Sequence, residues 1–521
     1  MPLNFQDVGV VVLAASVFLF LKRKNKEKYA LPPSPKGRLP LLGHALQMPT
    51  SHGWFAFERW GKELNSDIIY LDAAGMGIIV INSYQMVKDL FDSRSAIYSG
   101  RSSFTMVNEL MGYDWTMPTL PYNSKWKSQR RLFSKYFSAS NTSAYHPRVR
   151  EFTHLMLPKL LNTPEDFITH IKHMVGAAVI SMAYGMPIRA KNDPNIKIAQ
   201  DSLDQVLEAF IPGRYLVDTI PWMKYLPKWL PGTGFFEDAR RGRETMNRLL
   251  DMPFSDAERH IANGTARPSL VSMALEEIRD MEDPKEIQDA ILELKEVASV
   301  FFGAGYDTTH ATITNFILAM TLFPEVQAKA RQELDSVVGS DRLPDLSDEE
   351  KLPYLRAVLK EVVRWRPVSA IGLPHLSTED DVYNGYYIPK NTLIIPNQRG
   401  MLFDPKIYPD PETFSPERFL SPDGLSHNQE VRDPQTIAFG FGRRMCPGFH
   451  IALSQLFLSA ACILATFEIS KAKDEQGNVI EPPLDVAPGI TSHSLPFKCV
   501  IKPRSQKTKE LIQSAAADYE A

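Results

Sequence analysis

The chain has 521 residues, 44% of them hydrophobic and 23% charged, which is enough apolar material for a large packed core. A net charge of −3 gives no reason to expect nucleic acid as a partner. Three widely spaced cysteines, Cys446, Cys462 and Cys499, exclude a disulfide framework and a zinc cluster, and that usage suits a reducing compartment.

Residues 8–21 read VGVVVLAASVFLFL without a charge. The run is near the lower length limit for crossing a bilayer. Lys22, Arg23, Lys24, Lys26 and Lys28 follow at once, whereas Asp7 and no Lys or Arg precede it. A cleaved signal peptide has the opposite charge order and small residues behind the apolar run. The bias therefore predicts an anchor over 1–28, with the rest of the chain in the cytosol. On that topology the glycosylation acceptors at Asn141 and Asn263 stay unmodified. Prolines 32, 33, 35 and 40 make 29–49 a stiff, extended hinge, a spacer or a ligand for a proline-binding module.

Residues 68–71 and 77–82 alternate enough for short strands, with Gly75 and Gly77 at the turn. Residues 100–120 show weak periodicity. The stretch 121–131 opens a helix that places Trp126 and Arg130 on one face. Residues 221–231 mix Trp222, Tyr225 and Trp229 with prolines and lysines, a composition that suits a membrane interface or a surface loop.

Asp283-Pro284 is a strong helix start, and the next proline is Pro324. About 38 residues between them allow a helix of roughly 57 Å. Gly303 and Gly305 in its middle each cost about 1 kcal/mol relative to alanine, so a close approach or a bend is expected there. Asp307 and Thr308 then set an acid and a hydroxyl beside the bend, and Val297, Phe301, Ala304, Gly305 and Thr308 share one face.

A helix over 355–366 stops at Pro367 and carries Glu361 and Arg364 three residues apart. Residues 368–375 are expected to be extended, and Asn384-Gly385 reads as a hairpin turn. The stretch 439–448, FGFGRRMCPG, surrounds Cys446 with glycines and arginines ahead of a long apolar run. Glycines permit close approach and unusual backbone angles, and helix-start N–H groups favour a low-pKa thiolate. The tail after Pro503 is polar and expected to be loose.

The pattern F-x-x-G-x-R-x-C-x-G has a chance frequency on the order of 10⁻⁷ at a given site. It resembles the haem-binding loop of the cytochrome P450 family, and the resemblance extends over residues 30–503. It implies a mainly α fold with small β sheets, preceded by one N-terminal transmembrane helix, with a catalytic domain over 50–503 and a tail over 504–521. It implies haem b, iron protoporphyrin IX with Cys446 as the metal's axial thiolate. Trp126, Arg130, His375 and Arg444 would reach its propionates, with Phe439, Gly448 and Ala304 against the ring. A-G-x-D-T-T, here from Ala304, resembles the oxygen-activation segment, in which Thr308 positions a proton-delivering water and Asp307 links it to solvent. Glu361, Arg364 and Arg418 would form a buried cluster ahead of the cysteine loop.

The reaction implied is monooxygenation of a hydrophobic small molecule, a hydroxylation or an epoxidation. NADPH electrons would come through a membrane-bound reductase docked on the cysteine side, near Arg443 and Arg444, with cytochrome b5 as a further donor. The chain resembles fungal microsomal members of the endoplasmic reticulum that tailor secondary metabolites, which points to a terpenoid, an alkaloid or a polyketide in that order. The substrate would meet residues 100–120 and the turn over 488–497. The alternative is a haem-thiolate isomerase or dehydratase that needs no reductase.

Overall fold

The computed structural model describes residues 29–520 apart from 190–191, 212 and 488, so the anchor expected over 1–28 lies outside the described residues. Among them the longer helices are α1 (Gly53–Leu64), α2 (Ser124–Phe137), α3 (His146–Asn162), α4 (Phe167–Tyr184), α5 (Pro194–Ala209), α6 (Phe235–Ala262), α7 (Leu270–Arg279), α8 (Pro284–Leu322), α9 (Pro324–Val337), α10 (Pro353–Trp365), α11 (Phe449–Thr466) and α12 (Gln506–Glu520).

The predicted long helix is α8, of 39 residues. Asp283 caps it by accepting the N–H of Lys285 at 2.7 Å and that of Glu286 at 3.0 Å. It runs through Gly303 and Gly305 as one helix and is buried over most of its length after Leu294. Helices α2, α4, α5 and α11 pack around it. Only α11, among the described residues, is long and apolar enough to cross a membrane, and most of it is buried in the core.

The strands sit to one side. β1 (Ile68–Ala73) and β2 (Met76–Ile81) form an antiparallel hairpin. β2 pairs in parallel with β6 (Leu393–Pro396), which pairs with β3 (His375–Leu376). Between these last two in sequence, β4 (Asp381–Tyr383) and β5 (Tyr386–Ile388) turn at Asn384 and Gly385, with φ of +50° and +80°. Two positive φ values are what a tight two-residue hairpin requires, as the sequence predicted. β7 (Phe467–Lys471) and β8 (Cys499–Pro503) close the chain's last ladder.

The buried ionic cluster forms as expected. Glu361 and Arg364 have no side-chain exposure, and Arg364 donates to Glu361 through Nε at 2.7 Å and Nη2 at 2.8 Å. Arg418 Nε donates to the same carboxylate at 3.3 Å, and both guanidiniums share the Thr413 carbonyl.

One expectation needs correction. The tail is not loose, because α12 folds back on α3 and buries Ile512 and Ala516. Its apolar residues are sparse but fall on one face, which composition alone conceals. The weakly periodic stretch 100–120 packs largely inward. Thr105–Leu110 forms a wide helical turn, and Met106, Val107, Met111, Tyr113 and Trp115 join a cluster with Ala239 and Met246 of α6.

Candidate active site

The cysteine loop is built by backbone constraints. The N–H of Cys446 donates to the Phe439 carbonyl at 2.8 Å. Gly440 and Gly442 have φ of +78° and +53°, and a Cβ on Gly442 would lie 2.0 Å from the Phe91 carbonyl oxygen. Only glycine fits there. Gly448 was expected to share this role but does not: its φ is an ordinary −85°, and a Cβ there would meet nothing within 4 Å. Gly440 is the second strained glycine instead. Phe439 packs edge-on against Phe449, with centroids 4.8 Å apart.

Burial pushes the Cys446 thiol up, and the N–H groups of Gly448 and Phe449, with the nearby Arg130, offset this only in part. The half-buried sulfur thus faces two backbone N–H groups of the loop. A bound metal cation is what deprotonates a thiol in such a place.

Beside the loop lies a group of cations. Trp126 is buried on α2, with the Arg444 guanidinium 4.5 Å over its ring. Arg444 donates to the carbonyls of Ser99, Met117 and Leu120, so it points inward and pins the segment before α2. It does not lie on the outer face where a docking role was expected. Arg443 does, and it donates to the Tyr122 hydroxyl at 2.6 Å. Arg101, which carried no recognisable spacing in the sequence, is a further cation in the group, bonded to the carbonyls of Pro118, Leu373 and Pro374. Burial, and after it the like charge of Arg444, draws the pKa of Arg101 down; burial, and after it the like charge of Arg130, does the same to Arg444. Arg130 has no hydrogen bond or ion pair among the described residues, although burial disfavours its charge. His375 is buried on β3, stacks on Phe91 at 3.8 Å, and has its Nδ1 2.7 Å from the Tyr98 carbonyl. Burial, with Arg101 and Arg444 nearby, holds its pKa well below the usual imidazole range.

On α8 the predicted face divides. Ala304 and Thr308 are exposed on an otherwise buried helix, one turn apart. Thr308 Oγ1 donates to the Ala304 carbonyl at 2.9 Å, the back-bond that the sequence suggested. Val297 and Phe301 face elsewhere: Phe301 packs between Phe133 and Phe137 of α2, with centroids 5.5 and 4.2 Å away. They belong to the core. Asp307 is buried, and its carboxylate is 3.3 Å from His493 Nε2. His493 gave no signal in the sequence, because it lies 186 residues away on a loop without periodicity.

These residues suit a haem. A shielded sulfur, an open strip of small residues on the helix that packs against α11, and a group of cations with an unpaired guanidinium are the donor set of a thiolate-bound, dicarboxylate macrocycle. A surface cavity of ≈ 530 Å³ lined by Trp54, Phe323, Trp365 and Leu484 contains none of them.

The family profile described as Cytochrome P450 matches residues 32–500. The chain is 42% identical over 506 residues to cytochrome P450 monooxygenase ple1 of Rhodocybe pseudopiperita, covering 97% of this chain and 96% of that one. It is 39% identical over 509 residues to cytochrome P450 monooxygenase 98 of Postia placenta, covering 97% and 96%. It is 37% identical over 499 residues to a tryptamine 4-monooxygenase of Psilocybe cyanescens, covering 95% and 97%. With its haem-thiolate cofactor and reductase-supplied electrons, the chain is a monooxygenase of the cytochrome P450 family.

Proposed function

We propose that this protein hydroxylates or epoxidises a hydrophobic secondary metabolite at the cytosolic face of the endoplasmic reticulum, with Cys446 as axial ligand and Asp307 and Thr308 as its proton path. The observation that carries the reading is the cysteine loop, where the Gly442 backbone sits too close to Phe91 for any side chain.

The haem supplies electron storage and dioxygen chemistry when bound. The protein's part is to hold and orient. Arg130 would pair with a propionate, beside the Trp126 ring that Arg444 covers. His375 would offer Nε2 to a haem carboxylate, since its Nδ1 serves the Tyr98 carbonyl. Phe439, Gly448 and Ala304 leave room for a flat ring. Thr308 presents its hydroxyl to a water in the groove beside Ala304, and Asp307 reloads that water with protons. Buried apolar residues of the 100–120 segment exclude bulk water from the substrate.

Exposed Trp222, Tyr225 and Trp229, at 62%, 79% and 80%, support a membrane-facing loop, and the apolar segment before residue 29 supports a single-pass anchor. The domain limits proposed are 1–28, 29–49, 50–503 and 504–521. Arg443 and Lys127 each sit 4.9 Å over the Tyr122 ring, a basic patch suited to an acidic reductase or cytochrome b5. A terpenoid is the first candidate substrate, ahead of an alkaloid or polyketide; the relative named for tryptamine keeps the alkaloid class in view.

Co-expression with a reductase in yeast, fed a panel of terpene alcohols and indole amines, tests the proposal. A product one oxygen heavier, formed only with NADPH, supports it. NADPH-independent rearrangement of a substrate overturns it in favour of an isomerase.

A further inference from the structure

Asp307 lies on a buried helix, yet its carboxylate is held from another part of the chain. His493 Nε2 is 3.3 Å from each of its oxygens. The segment carrying His493 is fixed at three points. The N–H of Ser492 donates to the Val368 carbonyl at 2.7 Å, and the N–H of Ala487 donates to the His493 carbonyl at 2.8 Å. The Ser494 hydroxyl donates to Asn315 Oδ1 of α8 at 2.7 Å. The imidazole is thus placed by the backbone on both sides.

The exposures form a gradient. The Asp307 side chain is 11% exposed and that of His493 is 28%. The charged and titratable groups facing this pair are Lys172 of α4, Asp204 of α5, and Tyr306 and His310 of α8. Asp204 is exposed and feels both Asp307 and His493. His310 stacks on His493 with centroids 5.4 Å apart, but its Nδ1 is 3.0 Å from the Tyr306 carbonyl. Burial lowers its pKa to about 4, and with Nδ1 engaged it lacks the second free nitrogen that a relay needs. Thr491 also reaches the Asp307 carboxylate, but its hydroxyl oxygen is buried and it carries no titratable proton; of the titratable groups among the described residues, His493 is the one that both touches the carboxylate and reaches water.

We infer that His493 is a positioning residue for Asp307 and the gateway through which protons reach it. The imidazole takes a proton from a solvent acid at Nδ1 and releases the Nε2 proton to the Asp307 carboxylate. One N–H bond forms and one breaks, the carboxylate becomes a carboxylic acid, and no electron moves. Asp307 then reloads the Thr308 water. This rests on the reading of Asp307 and Thr308 as the proton path.

The test uses the full-length holoenzyme reconstituted with reductase. Three readouts are taken: the fraction of consumed oxygen recovered as hydrogen peroxide, the solvent deuterium isotope effect on oxygen consumption, and an infrared titration of the Asp307 carboxyl. Asp307→Asn identifies that infrared band. The infrared titration needs no substrate; the two oxygen readouts are taken with a substrate found in the co-expression panel. His493→Ala and His493→Gln should both raise the peroxide fraction and the isotope effect. Coupled turnover should fall roughly tenfold, less than the loss of a direct acid, because water can bypass the gateway. His493→Ala should also shift the Asp307 titration upward, because a hydrogen bond that stabilises the carboxylate is gone.

Glutamine can still donate to Asp307 but cannot pass a proton, so wild-type coupling in His493→Gln refutes the gateway. An unmoved Asp307 titration in His493→Ala refutes the contact even if turnover is lost for other reasons. If Asp307→Asn remains coupled, the underlying proton path fails. If Asp307→Asn uncouples and the His493 variants do not, only this inference fails.

Discussion

Glu361→Gln is the sharpest test of the architecture that holds the cysteine loop. Glu361 accepts from Arg364 Nε at 2.7 Å and Nη2 at 2.8 Å, from Arg418 Nε at 3.3 Å, and from the Ser415 N–H at 2.8 Å. The amide keeps the shape but removes the negative charge and turns an acceptor into a donor. Two guanidiniums then share a dry site without a counter-charge, one of them fully buried. Breaking such a pair costs about 3–5 kcal/mol. The Lys329–Glu417 pair nearby is a control: both side chains are about half exposed, and Lys329→Ala should cost no more than about 1 kcal/mol. Urea unfolding followed by far-ultraviolet circular dichroism and by the reduced, CO-bound absorption band reads both. If Glu361→Gln unfolds within about 1 kcal/mol of wild type, the cluster does not stabilise the fold as argued here.

Further expectations concern the loop, the core, the tail and pH. Gly442→Ala should lose haem on purification, since its methyl meets the Phe91 carbonyl; a wild-type haem content would show that the loop yields more easily than its geometry implies. Phe301→Ala should cost about 3–5 kcal/mol as a core cavity while leaving the haem spectrum in place, because its ring packs on α2 rather than at the open strip. Deleting 506–521 should cost about 2–3 kcal/mol through loss of buried Ile512, and unchanged stability would mean that α12 does not dock. His154 and His310 are held down to about 4, from an ordinary 6.5, by burial. Protons therefore bind the unfolded chain first as pH falls below 6.5. Stability should be full above that point and decline toward pH 4, by about 1.4 kcal/mol per unit for each imidazole. His154→Gln should flatten part of that decline.

Much of this architecture was legible in the chain because its signals are local. The capped start of α8, the Asn384-Gly385 turn and the spacing of Glu361 and Arg364 are short-range features whose chemistry fixes their structure. The cysteine loop was legible for the same reason, yet the roles of its glycines were not. Gly442 and Gly448 look alike in sequence, and the positive φ and the approach of Phe91 at Gly442 separate them. Arg101 and His493 lie in stretches expected to meet the substrate, but no local spacing marks either side chain for the site; the topology brings them there. Phe301 was misplaced because a helix face is wide enough to serve both a cavity and a core, and the aromatic rings of α2 decide which. The tail was misread because four apolar residues on one face suffice to dock a helix whose mean composition is polar.

The most direct measurement is the reduced, CO-bound spectrum of Cys446→Ala beside that of the wild-type enzyme. Replacement of the sulfur should abolish the thiolate-type band, through loss of the haem or of its ligand. A variant that retains the wild-type band would mean that another group holds the iron, and the site assembled around Cys446 would be wrong.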